Sequence, residues 1–565
     1  MGTSVGVGPF RTLSTIPAAI SRLDRSIGAS TTTSLRKSCF EWSSPSTKRF
    51  QRPGCAPFSV RADASSREFE DSVNTSSRPS RFSNFGVKNR IQFKAREVRR
   101  GENETLTKYF ATCAPGLETV LAAELSSPLI GAQEVEVGKA GVSFVGLKVT
   151  GYKASLWLRT AVRVLVQLAA GPLPEGRGRN DPVYTFIRDA IDWPSILLDD
   201  SSSHTQQPDS NERYRPRSNS GGRGDEMSNS RAGTATHSAQ APRFRNFGVQ
   251  SRVWSCTDIH NSAFASVRAK DAICDAMREA CGGHRPEPPE HGGSTADVPL
   301  FLFLFRDEAV LYRDMSGVSL HKRGYRDVMH RASLNEGIAA AVLTIAGWNR
   351  AVPGFGDANV NAPGEERVLL DPMCGSGTFL IEAALMASNV APGLMRRQWP
   401  FQKWHDFDEN AWKQCKDNAV SMQQSSLSGV RLLGNDIHAG ALSLCHRDAS
   451  TAGVRHLLEL SCKDIQEYKP LVVPSLVVTN PPWGERLIDS RFCRNEENEW
   501  VYETWQGLGR FLKSQCSCAD VYALSGNAEV TRAMHMRADK KWPLVIGGQE
   551  RKLLHYHVLP PRKLA

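Results

Sequence analysis

The stretch that most restricts the fold begins at Ser333. From there onward short apolar strands alternate with helical segments, a rhythm that argues an α/β architecture built on a parallel sheet with crossover helices. Strands are expected at Arg367–Leu370, Arg431–Asn435, Leu458–Cys462, Leu476–Thr479, Asp520–Leu524, Leu544–Ile546 and Lys552–Val558. The first runs through Val368-Leu369-Leu370-Asp371-Pro372-Met373-Cys374-Gly375-Ser376-Gly377-Thr378-Phe379. An apolar strand ends there in an acid and a glycine-rich turn, which opens a helix over Phe379–Ala387. Glycines at that position let a backbone approach a ligand at the carboxyl end of the strand, where open α/β sheets bind. The turn is not a P-loop, since no Gly-Lys-Ser/Thr follows. Leu380 also stands where a dinucleotide fingerprint needs its third glycine.

Two further acids extend the pattern. Asp436 closes the second strand, where a carboxylate can accept both hydroxyls of a ribose. Asp464 follows the third, within reach of an adenine amine. Singly, each reads as a solvated strand-end Asp; with Asp371, three at successive strand ends describe a nucleoside-shaped site. The fourth strand ends in Asn480-Pro481-Pro482-Trp483-Gly484. The prolines fix the backbone, and Pro481 has no amide hydrogen of its own. The Asn480 side-chain oxygen and the Pro481 carbonyl can then accept both hydrogens of an exocyclic amine. Trp483 offers a ring on which an extruded base can stack.

This constellation resembles the S-adenosylmethionine-dependent amino-methyltransferases, whose signature is Asn/Asp-Pro-Pro-Tyr/Phe/Trp. The likeness extends to the large-subunit ribosomal RNA guanine-N2 methyltransferases of bacteria, whose N-terminal half carries a THUMP RNA-binding domain. The matching pieces are Ala111-Thr112-Cys113-Ala114-Pro115-Gly116-Leu117-Glu118, Val267-Arg268-Ala269-Lys270-Asp271-Ala272-Ile273, Leu320-His321-Lys322-Arg323-Gly324-Tyr325-Arg326, Ala391-Pro392-Gly393-Leu394, Asn480-Pro481-Pro482-Trp483-Gly484-Glu485-Arg486-Leu487 and Tyr556-His557-Val558. The resemblance implies an α+β THUMP-containing region over 106–330, then a Rossmann-like doubly wound methyltransferase domain over 331–565 with a mostly parallel seven-stranded sheet. It implies S-adenosylmethionine as cofactor, touched by Asp371, Pro372, Cys374, Gly375, Gly377, Thr378, Asp436 and Asp464, and methyl transfer to a guanine N2 of ribosomal RNA. Asn480, Pro481 and Trp483 are the expected catalytic residues.

Arg323, Tyr325 and Arg326, between the two domains, are expected to meet RNA phosphates or bases; an interdomain packing loop is the competing reading. Trp483 departs from the tyrosine usual in the family. Some bacterial relatives carry a second methyltransferase domain, which a chain ending at Ala565 is expected to lack. Three other readings stay open: a transfer RNA guanine, an adenine N6, or a non-catalytic RNA-binding or assembly factor that has kept the fold.

Charge looks like an RNA signature and is not. Lys and Arg outnumber Asp and Glu by 70 to 59, yet residues 1–100 alone hold 18 basic and 7 acidic groups, the whole excess. Residues 1–60 are rich in Ser, Thr and Arg, have no apolar run, and contain only Asp24 and Glu41 as acids. That composition reads as an organelle transit peptide, plastid rather than mitochondrial, followed by a basic linker over 61–105. No apolar run reaches membrane-spanning length, so no membrane partner is expected. Cys516 and Cys518 form a lone Cys-x-Cys without a second pair, and no metal is expected. His555 and His557 on one face of the last strand are likewise read as edge or core histidines.

In the N-terminal half, helices are expected over Leu117–Leu125, Tyr152–Ala169 and Ser262–Met277. Strand signals fall at Val135–Val137, Val142–Phe144, Arg252–Thr257, Leu300–Phe305 and Ala309–Asp314. Residues 201–245 read as a disordered insertion. Arg81-Phe82-Ser83-Asn84-Phe85-Gly86-Val87 recurs as Arg243-Phe244-Arg245-Asn246-Phe247-Gly248-Val249. The pair reads as a relic in disordered sequence before it reads as an Arg/aromatic RNA element.

Overall fold

The computed structural model describes residues 105–174, 181–199, 242–287, 293–326, 333–349, 366–424, 427–483 and 494–560. The expected transit peptide, the linker up to Glu104, the first copy of the repeat and Gly484–Leu487 lie outside them.

The N-terminal half opens with β1 (Thr107–Thr112), α1 (Glu118–Leu125), β2 (Gln133–Gly138), β3 (Gly141–Gly146), α2 (Lys148–Trp157) and β4 (Arg163–Pro172), a ferredoxin-like order. It continues with α3 (Pro182–Asp189), α4 (Trp193–Leu197), β5 (Phe247–Trp254), α5 (Ser262–Ala280), β6 (Val298–Phe305) and β7 (Glu308–Asp314). The seven strands form one sheet in the order β2-β3-β1-β4-β7-β6-β5, antiparallel except for β5 beside β6. Strand alternation sends Tyr109, Val142, Phe144, Val164, Leu302, Leu304 and Leu311 into the main core under the helices. Phe301 and Tyr312 point the other way and cluster with Phe110, Phe303 and Val310.

Two expectations are corrected here. The helix expected over Tyr152–Ala169 ends at Trp157, and Arg163–Pro172 is a strand. The apolar spacing suits a helix, but Val164 and Val166 pair across to β1 and β7, and tertiary strand pairing overrides local periodicity. The break is fixed by Glu124, whose buried carboxylate accepts the backbone N–H groups of Arg159 and Thr160 and the Thr160 hydroxyl. Second, the end of the expected 201–245 insertion and the second repeat copy belong to the folded body. Phe244 bridges to Leu198, Asn246 and Asp297 exchange hydrogen bonds, and Phe247 starts β5. A Cβ on Gly248 would come within 2.4 Å of the Gly293 backbone, so this strand needs its glycine.

The C-terminal half comprises α6 (Glu336–Ile345), β8 (Arg367–Asp371), α7 (Thr378–Ala387), α8 (Glu409–Ser421), β9 (Val430–Asp436), α9 (Ala439–Thr451), β10 (Leu458–Cys462) and β11 (Leu476–Thr479). After these come α10 (Arg494–Gln515), β12 (Asp520–Ser525), α11 (Ala528–Arg532), β13 (Lys540–Ile546) and β14 (Gln549–His557). All seven expected strands are present. Their order is β10-β9-β8-β11-β12-β14-β13, parallel except where β14 runs antiparallel to both its neighbours. Chain direction reverses its progress across the sheet between β8 and β11, the place where open α/β sheets form a ligand crevice. Both faces are covered: Leu369, Leu432 and Val478 pack into one core, Leu370, Leu433 and Val477 into another with α10. This explains why these strands read as unbroken apolar runs.

The halves share a seam. The Pro115 carbonyl accepts the Val545 N–H of edge strand β13 (3.2 Å), and Gly116, at φ +96°, leaves no room for a Cβ against Pro543. Among the described residues, no helix is long and apolar enough to cross a membrane.

Candidate functional site

A cavity of about 680 Å³ opens at the carboxyl ends of β8, β9, β10 and β11. Asp371, Pro372, Cys374, Gly375, Thr378, Asp436, Asp464, Asn480, Pro481 and Trp483 all line it. Residues up to 112 positions apart in the chain thus meet because parallel strands deliver their ends to one edge.

The glycine-rich turn is held in shape by its neighbours. Gly375 sits at φ +55° with open space where a Cβ would project, and its N–H donates to Asp436 Oδ2 at 2.7 Å. Asp436 Oδ1 accepts the His438 N–H at 2.9 Å. Each carboxylate oxygen keeps lone-pair capacity for a further donor. Gly377 does not line the cavity. It caps α7 in the left-handed region, and a Cβ there would lie 2.2 Å from the Cys445 sulfur, so this glycine serves helix packing. Thr378 lines the wall, but its hydroxyl is taken by Arg326. The Cys374 thiol is buried, and burial raises it well above its ordinary range, which makes it an inert wall.

Asp371 is buried at the crevice floor. Burial pushes its carboxyl up to about 8, against a hydrogen bond from the Met373 N–H that favours the ionised form. A cation entering the crevice would restore the carboxylate. Asp464 is half-buried and uses Oδ1 to accept the Gln466 N–H.

Asn480 provides the most informative atom. Its Oδ1 is buried and finds no hydrogen-bond partner among the described residues, a cost that native folds rarely carry without use. Behind it, the loop is fixed by Trp505, whose indole N–H donates to the Pro482 carbonyl at 2.9 Å. The Trp483 N–H donates to Leu524 O at 3.2 Å, and the Arg551 guanidinium lies 4.9 Å from its ring centroid. One side of this indole is therefore backed by a cation while the residue still lines the cavity.

The motif reading missed several residues. Asn435, buried, donates to Pro372 O (3.2 Å) and Lys463 O (3.0 Å) and accepts the Lys463 N–H, tying the ends of β8, β9 and β10 together. Ile437 is 56% exposed beside Asp436 and presents an apolar face to the cavity. Trp500, Glu503 and Thr504 of α10 form the far wall, with Trp500 42% exposed. An exposed Trp on a helix is the signal that could have found this wall; Asn435 offers none beyond its place before Asp436.

The RNA-contact expectation for Arg323, Tyr325 and Arg326 is corrected. Arg323 and Tyr325 are each 1% exposed. Arg323 pairs with the Glu382 carboxylate (3.4 Å) and donates to the Leu320 and Arg159 carbonyls. The Tyr325 hydroxyl donates to Glu382 at 3.2 Å. Arg326 pairs with Glu336 and Asp448, both at 3.2 Å, and donates to Ser376 and Thr378 of the glycine-rich segment. These cations are counter-charges for acids of the C-terminal half and brace the turn from behind. His555 and His557 both meet Asp520 Oδ1, at 3.0 and 3.1 Å, on the last strands.

Residues 323–553 match the model of the RMKL-like methyltransferase domain family, and 108–165 match the RlmL ferredoxin-like domain. Two curated relatives bear the name ribosomal RNA large subunit methyltransferase K/L. The protein of Saccharophagus degradans is 30% identical over 465 residues, 81% of this chain and 52% of that protein. The protein of Syntrophotalea carbinolica is 31% identical over 462 residues, 80% of this chain and 54% of that protein. The chain spans about half the length of these relatives. Among solved structures, SMU.472, solved as a complex with SAH, superposes with a TM-score of 0.57 at 22% identity, covering 81% of this chain and 99% of that one. At that identity the likeness speaks for the fold.

Proposed function

With an RMKL-like methyltransferase domain over 323–553 and an RlmL-type ferredoxin-like domain before it, we propose that this chain methylates the exocyclic N2 amine of a guanine in RNA. The proposed substrate is large-subunit ribosomal RNA of an organelle, the chloroplast before the mitochondrion. The observation that carries this reading is the buried Oδ1 of Asn480 on the cavity wall, an acceptor with no partner among the described residues. The names of the curated relatives support ribosomal RNA as the substrate class. The serine- and arginine-rich N terminus supports the organelle.

The cavity fits S-adenosylmethionine. Asp436 offers free lone pairs to ribose hydroxyls, Ile437 an apolar face to a purine, and Asp464 an acceptor to the adenine amine. Gly375 leaves the backbone approachable, and buried Asp371 answers a cationic group. When bound, S-adenosylmethionine supplies an electrophilic methyl group. The chain's own residues do the rest. Asn480 Oδ1 and the Pro481 carbonyl accept the two amine hydrogens, which turns the nitrogen lone pair out of conjugation with the ring and favours the positive charge it develops. Trp483, backed by Arg551, and Trp500 offer aromatic surface to the extruded base. An amide cannot act as a base, so the amine proton leaves to solvent after methyl transfer.

Mass-spectrometric mapping of N2-methylguanine in organelle ribosomal RNA tests the reading. Loss of one mark when the gene is silenced, and its return with the wild-type chain but not with Asn480→Ala, is the expected result. An unchanged modification map would overturn it.

A further inference from the structure

The second face of the N-terminal sheet carries a cluster of aromatic rings. Strand β6 alternates Leu300, Leu302 and Leu304, which enter the core, with Phe301, Phe303 and Phe305, which turn outward. Neighbouring strands add Phe110, Tyr312 and Trp254 to that outward side. An antiparallel sheet facing water ordinarily carries polar residues there. Here the rings form a continuous network, with centroids 5.5 Å apart for Phe303 and Tyr312, 6.0 Å for Trp254 and Phe303, and 5.6 Å for Trp254 and Phe305. Phe305 is 39% exposed, while Phe110, Phe303 and Trp254 are half-buried.

A cation lies beside the outermost ring: the Arg306 guanidinium is 5.0 Å from the Phe305 centroid. Arg163, 4.9 Å from buried Phe301, is already paired with Asp314 and belongs to the packed end of the face. Arg252, exposed on β5, sits two residues before Trp254 and so shares its face. An exposed Phe305 with half-buried Phe303 and Trp254, beside guanidinium groups, matches the two surfaces of an unpaired nucleotide, a flat base and an anionic phosphate. An aliphatic protein partner would call for neither.

We propose that this face is a stacking platform for single-stranded RNA, holding unpaired nucleotides on Trp254, Phe303 and Phe305 while Arg252 and Arg306 meet their phosphates. RNA-recognition motifs use an open sheet face in this way. The proposal rests on RNA as the substrate class and places the grip of the N-terminal half on unpaired strands rather than on a duplex. It also supplies the RNA contacts that buried Arg323 and Tyr325 do not.

The test uses the full chain and a fluorescein-labelled 12-nucleotide single-stranded RNA of mixed sequence, with its blunt duplex as comparison, read by anisotropy. Trp254→Ala and Phe305→Ala should each weaken single-strand binding roughly tenfold. Arg252→Glu with Arg306→Glu, both on exposed side chains, should weaken it similarly and flatten its salt dependence. Binding of S-adenosylhomocysteine should not change. Wild-type affinity in the folded ring and charge variants overturns the proposal. So does equal binding of strand and duplex that the ring variants leave unaltered. Ring variants that convert a dimer to monomer in sedimentation, with RNA affinity intact, would assign the face to a second copy instead. If the ring variants lose RNA while the wild-type chain methylates no guanine, the platform stands and the catalytic reading falls.

Discussion

The molecule holds two seven-stranded sheets that solve opposite problems. The C-terminal sheet is buried on both faces, and its chemistry is pushed to the strand ends, where Asp371, Asp436 and Asn480 meet. The N-terminal sheet buries one face under helices and keeps aromatic rings on the other, so what it offers lies along the strands. The difference teaches that a site at strand ends is written as motifs, an acid or an Asn-Pro-Pro after an apolar run. A site across a sheet face is spread over several strands and leaves no contiguous word in the sequence.

The comparison can be broken most sharply at Asn480. Asn480→Ala should lower turnover on the order of a thousandfold, with S-adenosylhomocysteine affinity by calorimetry preserved; turnover within tenfold of wild type would mean the strand ends do not orient the amine. Next in size is the brace behind the glycine-rich turn. Arg326→Ala leaves Glu336 buried without its cation, while Asp448 keeps Arg447. Denaturant unfolding should report a loss of about 3 kcal/mol, with Arg326→Lys recovering part of it.

A smaller effect comes from Asp371. Its folded-state value of about 8 means the free protein holds a proton there at neutral pH. A cationic cofactor needs the carboxylate, so affinity for S-adenosylmethionine should rise up to about tenfold per pH unit below 8 and level off above it. Asp371→Asn should flatten that rise, and an equally pH-dependent variant would remove Asp371 from the contact. The smallest effect belongs to the open face: Phe305→Ala should change stability by only about 0.5 kcal/mol. A loss several times larger would show that the ring is part of the core, and the contrast between the sheets would fail.

The strands of the C-terminal half, the glycine-rich turn and the Asn480 loop were all legible because each is local. Arg323 and Arg326 were misread for a physical reason: a basic cluster between domains looks the same whether it faces phosphates or buried acids. The deciding partners are Glu382, a lone acid in the apolar helix Thr378–Ala387, and Asp448, 122 residues away. That solitary Glu was the available clue. The helix expected over Tyr152–Ala169 failed where Glu124, from a distant helix, stops the chain and turns it into β4. The far wall of the cavity, with Trp500, depends on how α10 returns across the sheet, which no short pattern encodes.

The Pro115–Val545 hydrogen bond has a consequence for solubility. Strand β13 is the last of its sheet, and a bare edge presents amides and carbonyls to which any other chain can add a strand. Here the turn at Pro115 and Gly116 sits against that edge, and Leu544 and Ile546 are buried in the core the two halves share. The N-terminal half therefore shields the border of its neighbour: cut away, it would leave a sticky strand behind, and the severed C-terminal half should precipitate at concentrations where the joined chain stays dispersed.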